Sequence, residues 1–168
     1  MSEIRTTIFR NTGLWECAMS KLLDAALDYA KQGFYIIPLP AGKKKPPPSG
    51  WKQSATKDSE KIKEIWGKTP DANIGIVCGY KSGLYVIDVD VKDNAGGFDS
   101  LAEIEKQIGS INAPEVITPS GGRHYYFRMP KEQLKNKVNV LPGIDARSNG
   151  GYVVAPPSVI DEGEYRWK

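Results

Sequence analysis

Short apolar runs of strand-forming composition, each closed by glycine or proline, alternate irregularly with helix-like segments along the 168 residues. The predicted order is helix, strand, helix, hairpin, helix, hairpin-like strands and a final strand. This order lacks the regular strand–helix alternation of a parallel α/β sheet, and it contains no internal repeat. The pattern therefore predicts an α+β fold with a mainly antiparallel sheet.

Three segments have the spacing of amphipathic helices. In the first, apolar residues recur between Ser20, a suitable N-cap, and Gly33, a residue type common just past a helix end. A second helix, with its cap at or next to Asp58, is predicted to end around Gly67, and a third follows Asp99. The predicted strands are residues 34–39, 74–78, 84–89, 115–118, 124–128 and 151–155.

Two other segments are predicted to be loops or turns. Residues 41–51, AGKKKPPPSGW, cannot form a helix or a central strand because of their consecutive prolines, so we expect an exposed, cationic and semi-rigid loop. Residues 79–83, GYKSG, form a short glycine-containing connection of the kind that joins the strands of a hairpin. The strands on either side of this connection are therefore predicted to pair.

The global charge does not identify a partner. Lysine and arginine number 23 against 20 aspartates and glutamates, which gives a net charge of only +3. A nucleic-acid ligand must therefore be argued from the local placement of charges. The two cysteines, Cys17 and Cys78, lack CxxC spacing, which argues against a zinc ribbon, a redox motif or a disulfide framework and predicts reduced thiols.

The sequence lacks membrane and secretion signals. Its longest apolar stretches fall far short of the roughly 20 residues that a membrane-spanning helix needs, and its first residues lack the apolar core of a signal peptide. We therefore expect a soluble, cytoplasmic protein without a membrane partner. The periodic pattern starts after Met19, which suggests a leader at residues 1–19, with disorder as one interpretation, and one domain at residues 20–168.

Two aspartates end the apolar run LYVIDVD at residues 84–90. Strand alternation puts Asp88 and Asp90 on one face and the intervening apolar residue on the other. Neighbouring carboxylates repel each other unless a cation neutralises them, and hard oxygen ligands suit Mg²⁺ or Mn²⁺, so the pair indicates a metal site. The alternative is a strand that runs out into a polar loop, because Asp93 follows closely.

A glycine turn places the only histidine of the chain at the start of a predicted strand. In residues 118–124, TPSGGRH, the consecutive glycines let backbone N–H groups approach an anion. Ser120, Arg123 and His124 add donors that suit a phosphate. The segment therefore predicts a triphosphate-binding element, and the alternative is a surface histidine without a function.

A third acidic residue, Asp145, follows the apolar Ile144 and precedes a glycine turn at residues 149–151. Asp145 can complete a three-carboxylate cluster with Asp88 and Asp90. The alternative is a turn aspartate that caps the bend at residues 149–151. The three elements together are more specific than any one of them.

These residues, in this order, resemble the primase-polymerase domain of the archaeo-eukaryotic primase superfamily, which stands at the N-terminus of many plasmid and phage replication proteins. The resemblance runs from about Leu22 to about Trp167. The segments that carry it are the lysine-proline loop before Gly50 and Trp51, NIGI at residues 73–76, DVD at 88–90, SGGRH at 120–124 and GIDAR at 143–147.

The resemblance implies an RRM-like, mainly antiparallel sheet with an N-terminal α/β unit packed against it. It also implies two catalytic Mg²⁺ or Mn²⁺ ions bound by Asp88, Asp90 and Asp145. The catalytic residues would be Asp88, Asp90, Asp145 and His124. The nucleotide-binding residues would be Ser120, Arg123, His124, Arg147, Lys43 and Lys44.

The activity implied by the resemblance is nucleotidyl transfer, as template-directed primer synthesis or DNA polymerisation by a two-metal mechanism. The implied partners are nucleoside triphosphates, a single-stranded or primed DNA template and a helicase, since family members often continue into one. Lys43 and Lys44 are predicted to contact the phosphates of the template or of the nucleotide, and a solvated loop is the alternative.

Two other functions fit parts of the sequence. A catalytically inert primase-like module would bind nucleotide or single-stranded DNA beside a separate helicase. A haloacid-dehalogenase-type phosphatase would use Asp88 as a nucleophile, since VIDVDV at residues 86–91 resembles the first motif of that class. That class also needs a later acidic pair and a Rossmann-like alternation, and the sequence pattern provides neither.

Overall fold

The structure, a computed structural model, describes residues 13–132 and 134–168. Its helices are α1 (Gly13–Lys31), α2 (Trp51–Ser54), α3 (Ser59–Lys68) and α4 (Gly97–Ile108), with a 3-10 turn at Lys92–Asn94. Its strands are β1 (Ile36–Leu39), β2 (Asn73–Val77), β3 (Leu84–Val89), β4 (Glu115–Ile117), β5 (Arg123–Arg128), β6 (Lys137–Leu141), β7 (Ile144–Arg147), β8 (Tyr152–Ala155), β9 (Val159–Ile160), β10 (Gly163–Glu164) and β11 (Arg166–Trp167).

Two sheets dominate the architecture. The smaller has three strands in the order β1-β2-β8, and the larger has six in the order β11-β4-β5-β3-β7-β6. Every pair of neighbouring strands is antiparallel, and β9 and β10 form a separate two-stranded ribbon. The prediction of an α+β fold with a mainly antiparallel sheet is therefore confirmed.

The main hydrophobic core joins the two sheets. It contains residues of α1, α3 and the three-stranded sheet together with Val86 and Tyr126 from one face of the six-stranded sheet. A second cluster, which includes Val89, Leu101 and Ile144, packs α4 on the opposite face. The six-stranded sheet is thus covered by α4 on one face, and its other face meets the three-stranded sheet.

The predicted cap of α3 is confirmed. The Asp58 carboxylate accepts hydrogen bonds from the backbone N–H groups of Glu60 and Lys61 at 2.9 and 3.2 Å. These bonds satisfy two of the N–H groups that a helix start leaves without partners. Trp66, at the other end of the same helix, is buried and donates its indole N–H to the Ala72 carbonyl at 2.9 Å. The helix is therefore fixed against the start of β2.

The hairpin predicted around residues 79–83 is wrong. β2 pairs with β1 and β8, whereas β3 pairs with β5 and β7, so the connection carries the chain from one sheet to the other. Both edges of β2 are occupied and all of its residues are buried, so no edge remains for β3. Only the turn itself has the expected form, since Gly79 and Leu84 make an isolated bridge through two backbone hydrogen bonds.

The first helix is longer than predicted. α1 begins at Gly13 and not at Ser20, and it ends at Lys31 just before Gly33, which has a φ of 98°. A positive φ is the conformation that glycine adopts at many helix ends. Residues 13–19 of the predicted leader therefore belong to α1, and residues 1–12 lie outside the described residues.

The sequence pattern also missed β6 and β7. All five residues of β6 are exposed, so Val138 and Val140 alternate with polar residues on an edge strand that faces no core. β7 has only four residues and follows the turn at Pro142 and Gly143. Asp145 therefore lies within a strand and not in the bend at residues 149–151.

The remaining expectations concern the thiols and the membrane. Cys78 is a free, buried thiol, and burial raises its pKa to about 12, so it stays protonated at neutral pH. The side chain of Cys17 lies outside the described residues. Across residues 13–132 and 134–168, the structure has no helix with the length and apolar character needed to cross a bilayer.

Candidate active site

Three polar residues stand side by side on the face of the six-stranded sheet that meets the three-stranded sheet. Asp88 on β3 is directly opposite His124 on β5 and directly opposite Asp145 on β7. Residues opposite each other on neighbouring strands point to the same face. The sheet register therefore brings together two of the predicted acids and the predicted histidine, although they come from three distant parts of the chain.

Arg147 connects the two carboxylates in this row. Its guanidinium Nη2 lies 3.0 Å from Asp88 Oδ2 and 2.6 Å from Asp145 Oδ2. Its Nε donates a further hydrogen bond to Asp88 Oδ2 at 3.3 Å. Like charges directly opposite each other on neighbouring strands are destabilising. Arg147 therefore neutralises the repulsion between two acids that the register forces together.

Asp90 lies just beyond the end of β3 and is exposed. Its backbone N–H donates to the Gly143 carbonyl at 2.8 Å, and its carboxylate accepts from the Lys92 N–H at 2.9 Å. The backbone is tightly packed here, because a Cβ on Gly143 would lie 2.4 Å from the nitrogen of Gly97. Two glycines thus fix the position of Asp90 relative to β7.

The turn before His124 is equally compact. A Cβ on Gly122 would lie 2.3 Å from the Val89 carbonyl oxygen, and Gly121 has a φ of 89°, so both positions favour glycine. The Ser120 hydroxyl lies 3.1 Å from the hydroxyl of Thr118. The turn therefore places Ser120 and His124 next to the end of β3.

His124 is only 5% exposed, and its Nε2 lies 3.4 Å from Asp88 Oδ1. Burial lowers the pKa of its imidazole, and the Asp88 carboxylate opposes that shift. The Nδ1 atom is buried and has no hydrogen-bond partner among the described residues. The ring lies 5.8 Å from the ring of Tyr165, centroid to centroid. A neutral imidazole with an unsatisfied nitrogen is thus held beside the acids.

Arg123 is not brought into this site. Strand alternation turns it to the opposite face from His124, where its Nε lies 2.6 Å from Glu115 Oε1 and its guanidinium lies over the ring of Phe98. It also donates hydrogen bonds to the carbonyls of Gly121 and Gly122. Its contacts hold the turn in place, in contrast to the phosphate contact that the sequence predicted.

The lysine-proline loop reaches the same site and is anchored through its backbone. The Asn73 side chain donates to the Lys43 carbonyl at 3.0 Å, and the Tyr152 hydroxyl donates to the Lys44 carbonyl at 3.0 Å. Lys44 and Lys45 line the cavity at the site, whereas Lys43 does not. Of the two predicted lysines, the structure therefore brings only Lys44 to the acids, together with its neighbour.

These residues surround a cavity of about 450 Å³ between the two sheets. This volume lies within the range of small-molecule sites. Asp88, Asp90, Ser120, His124, Arg147 and Lys44 line it, and Asp145 joins the site through Arg147. Thr118, Asn136, Tyr152 and Tyr165, which also line the cavity, are not predicted from the sequence.

The donor atoms suit a hard divalent cation in charge and chemistry. Arg147, a cation, already contacts Asp88 and Asp145 together, so the pair attracts positive charge. In the described part of the chain, no group of three or more histidine, cysteine, aspartate or glutamate side chains is arranged so that it could hold a metal ion. A metal at these acids would compete with Arg147 for the Oδ2 atoms of Asp88 and Asp145.

A model of the bifunctional DNA primase/polymerase N-terminal domain family, Prim-Pol, matches residues 26–168. The chain belongs to this family. The Prim-Pol match extends from within α1 to the last residue and includes every candidate site residue. A search of curated proteins found no significant match. The family assignment that the motifs suggested is thus confirmed independently of the site geometry.

Proposed function

We propose that this Prim-Pol domain is a nucleotidyltransferase that joins nucleotides on a DNA template, as a primase or a DNA polymerase. The observation that carries the proposal is the row of His124, Asp88 and Asp145 beside a nucleotide-sized cavity lined with cations. Four adjacent antiparallel strands, β4-β5-β3-β7, with α4 on one face are compatible with an RRM-like sheet. We propose this finer fold assignment together with the function.

Asp88, Asp90 and Asp145 would bind two Mg²⁺ or Mn²⁺ ions. When bound, such ions activate the attacking 3′-hydroxyl and neutralise the leaving pyrophosphate. The chain itself supplies the orientation, because the strand register fixes Asp88 and Asp145 and the packing of Gly143 fixes Asp90. No side-chain nucleophile is needed for in-line attack by a hydroxyl on a phosphoryl group.

The phosphates of the nucleotide would contact the cationic side of the cavity. Lys44 and Lys45 provide positive charge, and Ser120 provides a hydroxyl donor. Burial keeps the His124 imidazole neutral. A neutral imidazole would still donate a hydrogen bond to a phosphate oxygen, because that hydrogen bond does not require a positive charge. Arg147 would turn from the acids to the phosphates when a metal replaces it.

The antiparallel neighbours of β3 do not support the phosphatase interpretation. A haloacid-dehalogenase-type site needs a Rossmann-like parallel alternation, whereas β3 pairs antiparallel with both β5 and β7. The inert primase-like module remains the alternative that an activity assay must separate from the enzyme.

The direct test is to incubate the protein with Mn²⁺ or Mg²⁺, labelled nucleoside triphosphates and either a single-stranded or a primed DNA template. We expect labelled DNA or RNA product that depends on both metal and template. Metal-dependent nucleotide binding without any product would favour the inert module and contradict the proposal. A helicase partner can be tested in the same assay by adding a replicative helicase and measuring product length.

Arg147 offers a test of the metal site that does not depend on catalysis. In the absence of nucleotide, Arg147→Gln is expected to bind Mn²⁺ about 10-fold more tightly than the wild type, because the metal no longer competes with the guanidinium for Asp88 and Asp145. The Mn²⁺ affinity is measured by electron paramagnetic resonance of the free ion.

The matched control is Arg128→Gln, which removes an exposed arginine from the far end of β5 in the same sheet. Its Mn²⁺ affinity should equal that of the wild type. Weaker Mn²⁺ binding by Arg147→Gln than by the control would mean that Arg147 supports the metal site and does not compete with it.

A further inference from the structure

A continuous line of lysines and aromatic rings runs outward from the cavity. Trp51 lines the cavity, and the Nζ atom of Lys52 lies 5.6 Å from the centre of its ring. The Lys52 carbonyl accepts a hydrogen bond from the Nζ atom of Lys81 at 2.8 Å. Lys81 in turn lies 4.8 Å from the ring centre of Tyr35, and Lys57 lies 5.3 Å from the same ring. We call these five residues the lysine track.

The lysines of the track differ in their partners from three lysines of helices α3 and α4. Lys63, Lys68 and Lys106 each form an ion pair with a glutamate of the same helix. By contrast, Lys52, Lys57 and Lys81 form no ion pair with any described residue. Their charges are balanced only by aromatic rings and a backbone carbonyl, so they attract a polyanion more strongly than paired lysines do.

The alternation of ammonium groups with aromatic rings identifies the polyanion. A positively charged path with aromatic side chains is how proteins bind single strands, because the cations contact phosphates while the rings stack on bases. In a duplex the bases are already stacked on one another, so rings such as Trp51 and Tyr35 have no base face to contact. The low net charge of +3 hides this local concentration of positive charge.

We propose that the lysine track binds the backbone and bases of single-stranded nucleic acid and guides the strand to the cavity. The track begins at Trp51, which also lines the cavity, so a strand on it ends at the acids and the phosphate-binding lysines. The role as a template path rests on the proposed nucleotidyltransferase function. The binding itself does not, because it requires neither metal nor nucleotide.

The test compares two triple variants with the same change in charge. One is Lys52→Gln/Lys57→Gln/Lys81→Gln, and the control is Lys63→Gln/Lys68→Gln/Lys106→Gln, in the ion-paired lysines. All six lysines are exposed, so both variants should keep the melting temperature of the wild type within a few degrees. The probe is a fluorescein-labelled oligothymidylate, and its Kd is measured by anisotropy without metal or nucleotide at several salt concentrations.

We expect the track variant to bind the oligothymidylate at least about 10-fold more weakly than the wild type. The slope of the logarithm of the binding constant against the logarithm of the salt concentration should decrease in magnitude by about 2. The Kd of the control should stay within about twofold of the wild-type value. Equal weakening by both variants, or no weakening by the track variant, would overturn the proposal. An equal loss of affinity for a duplex of the same length would overturn its single-strand part.

The outcomes also separate this inference from the proposed function. If the wild type binds the oligothymidylate through the track but forms no product from nucleotides, the binding surface stands and the nucleotidyltransferase function fails. If product forms while the track variant binds and extends templates like the wild type, the function stands and the track proposal fails.

Discussion

Replacing Asp88 with asparagine is expected to lower nucleotide incorporation about 1000-fold while leaving the protein folded. Asp88 lies at the centre of the row, opposite both His124 and Asp145, and its carboxylate contacts His124 and Arg147. Asparagine keeps the size of the side chain, and Arg147 keeps its contact with Asp145. The rate of metal-dependent product formation on a primed template is the measurement.

The control for this substitution is Asp93→Asn. Asp93 lies in the 3-10 turn beyond β3, is exposed and does not line the cavity. Asp93→Asn therefore removes the same charge as Asp88→Asn, but at a position outside the candidate site. The incorporation rate of the Asp93→Asn variant should stay within about twofold of the wild-type rate. Equal rates for the two variants would mean that the acids of the row do not carry the reaction.

Gly143→Ala is expected to reduce the free energy of unfolding by about 3 kcal/mol and the melting temperature by roughly 6–12 °C. The new Cβ would lie 2.4 Å from the nitrogen and 2.6 Å from the Cα of Gly97, and both are backbone atoms that cannot rotate away. The φ of 66° at Gly143 adds strain for any residue with a side chain. Thermal unfolding followed by circular dichroism measures the effect.

Gly83→Ala separates the two causes. Gly83 has a nearly identical φ of 63°, but a Cβ there would meet no heavy atom within 4 Å. The backbone strain alone should cost about 1 kcal/mol, or roughly 2–4 °C. If both variants lose the same stability, the close approach of α4 to the β6–β7 turn does not contribute, and the account of how Asp90 is positioned is wrong.

The residue types of the candidate site could be predicted from the sequence. Only part of their arrangement in space could be predicted in the same way. The acids and the histidine stand in short motifs, and strand alternation alone puts each on a defined face. The same alternation applied to Arg123 and His124, which are neighbours on β5, places them on opposite faces. Strand alternation alone thus separates Arg123 from His124 and from the phosphate-binding residues predicted beside it.

The rest of the arrangement depends on contacts between distant segments. Tyr152 and Tyr165 reach the cavity because β8 joins the smaller sheet and because residues near the C-terminus pack beside His124. The pairing of Asp88 with Asp145 likewise depends on β7, whose four residues are too few for their alternation to identify a strand. A hairpin was predicted at residues 79–83 because local turn signals carry no information about which edges of β2 are already occupied.

The buried side chain of Asn73 affects how tightly the cavity can bind an anion. Its amide is almost completely buried, donates to the carbonyls of Lys43 and Val159 and accepts from the Val159 N–H. The loop carrying Lys44 and Lys45 is thereby ordered before any ligand arrives. In a flexible loop, each residue that becomes ordered on binding would cost roughly 1–2 kcal/mol of conformational entropy. This cost would make the binding free energy less favourable. Preorganisation by one buried amide thus leaves more of the lysine–phosphate attraction available as binding free energy.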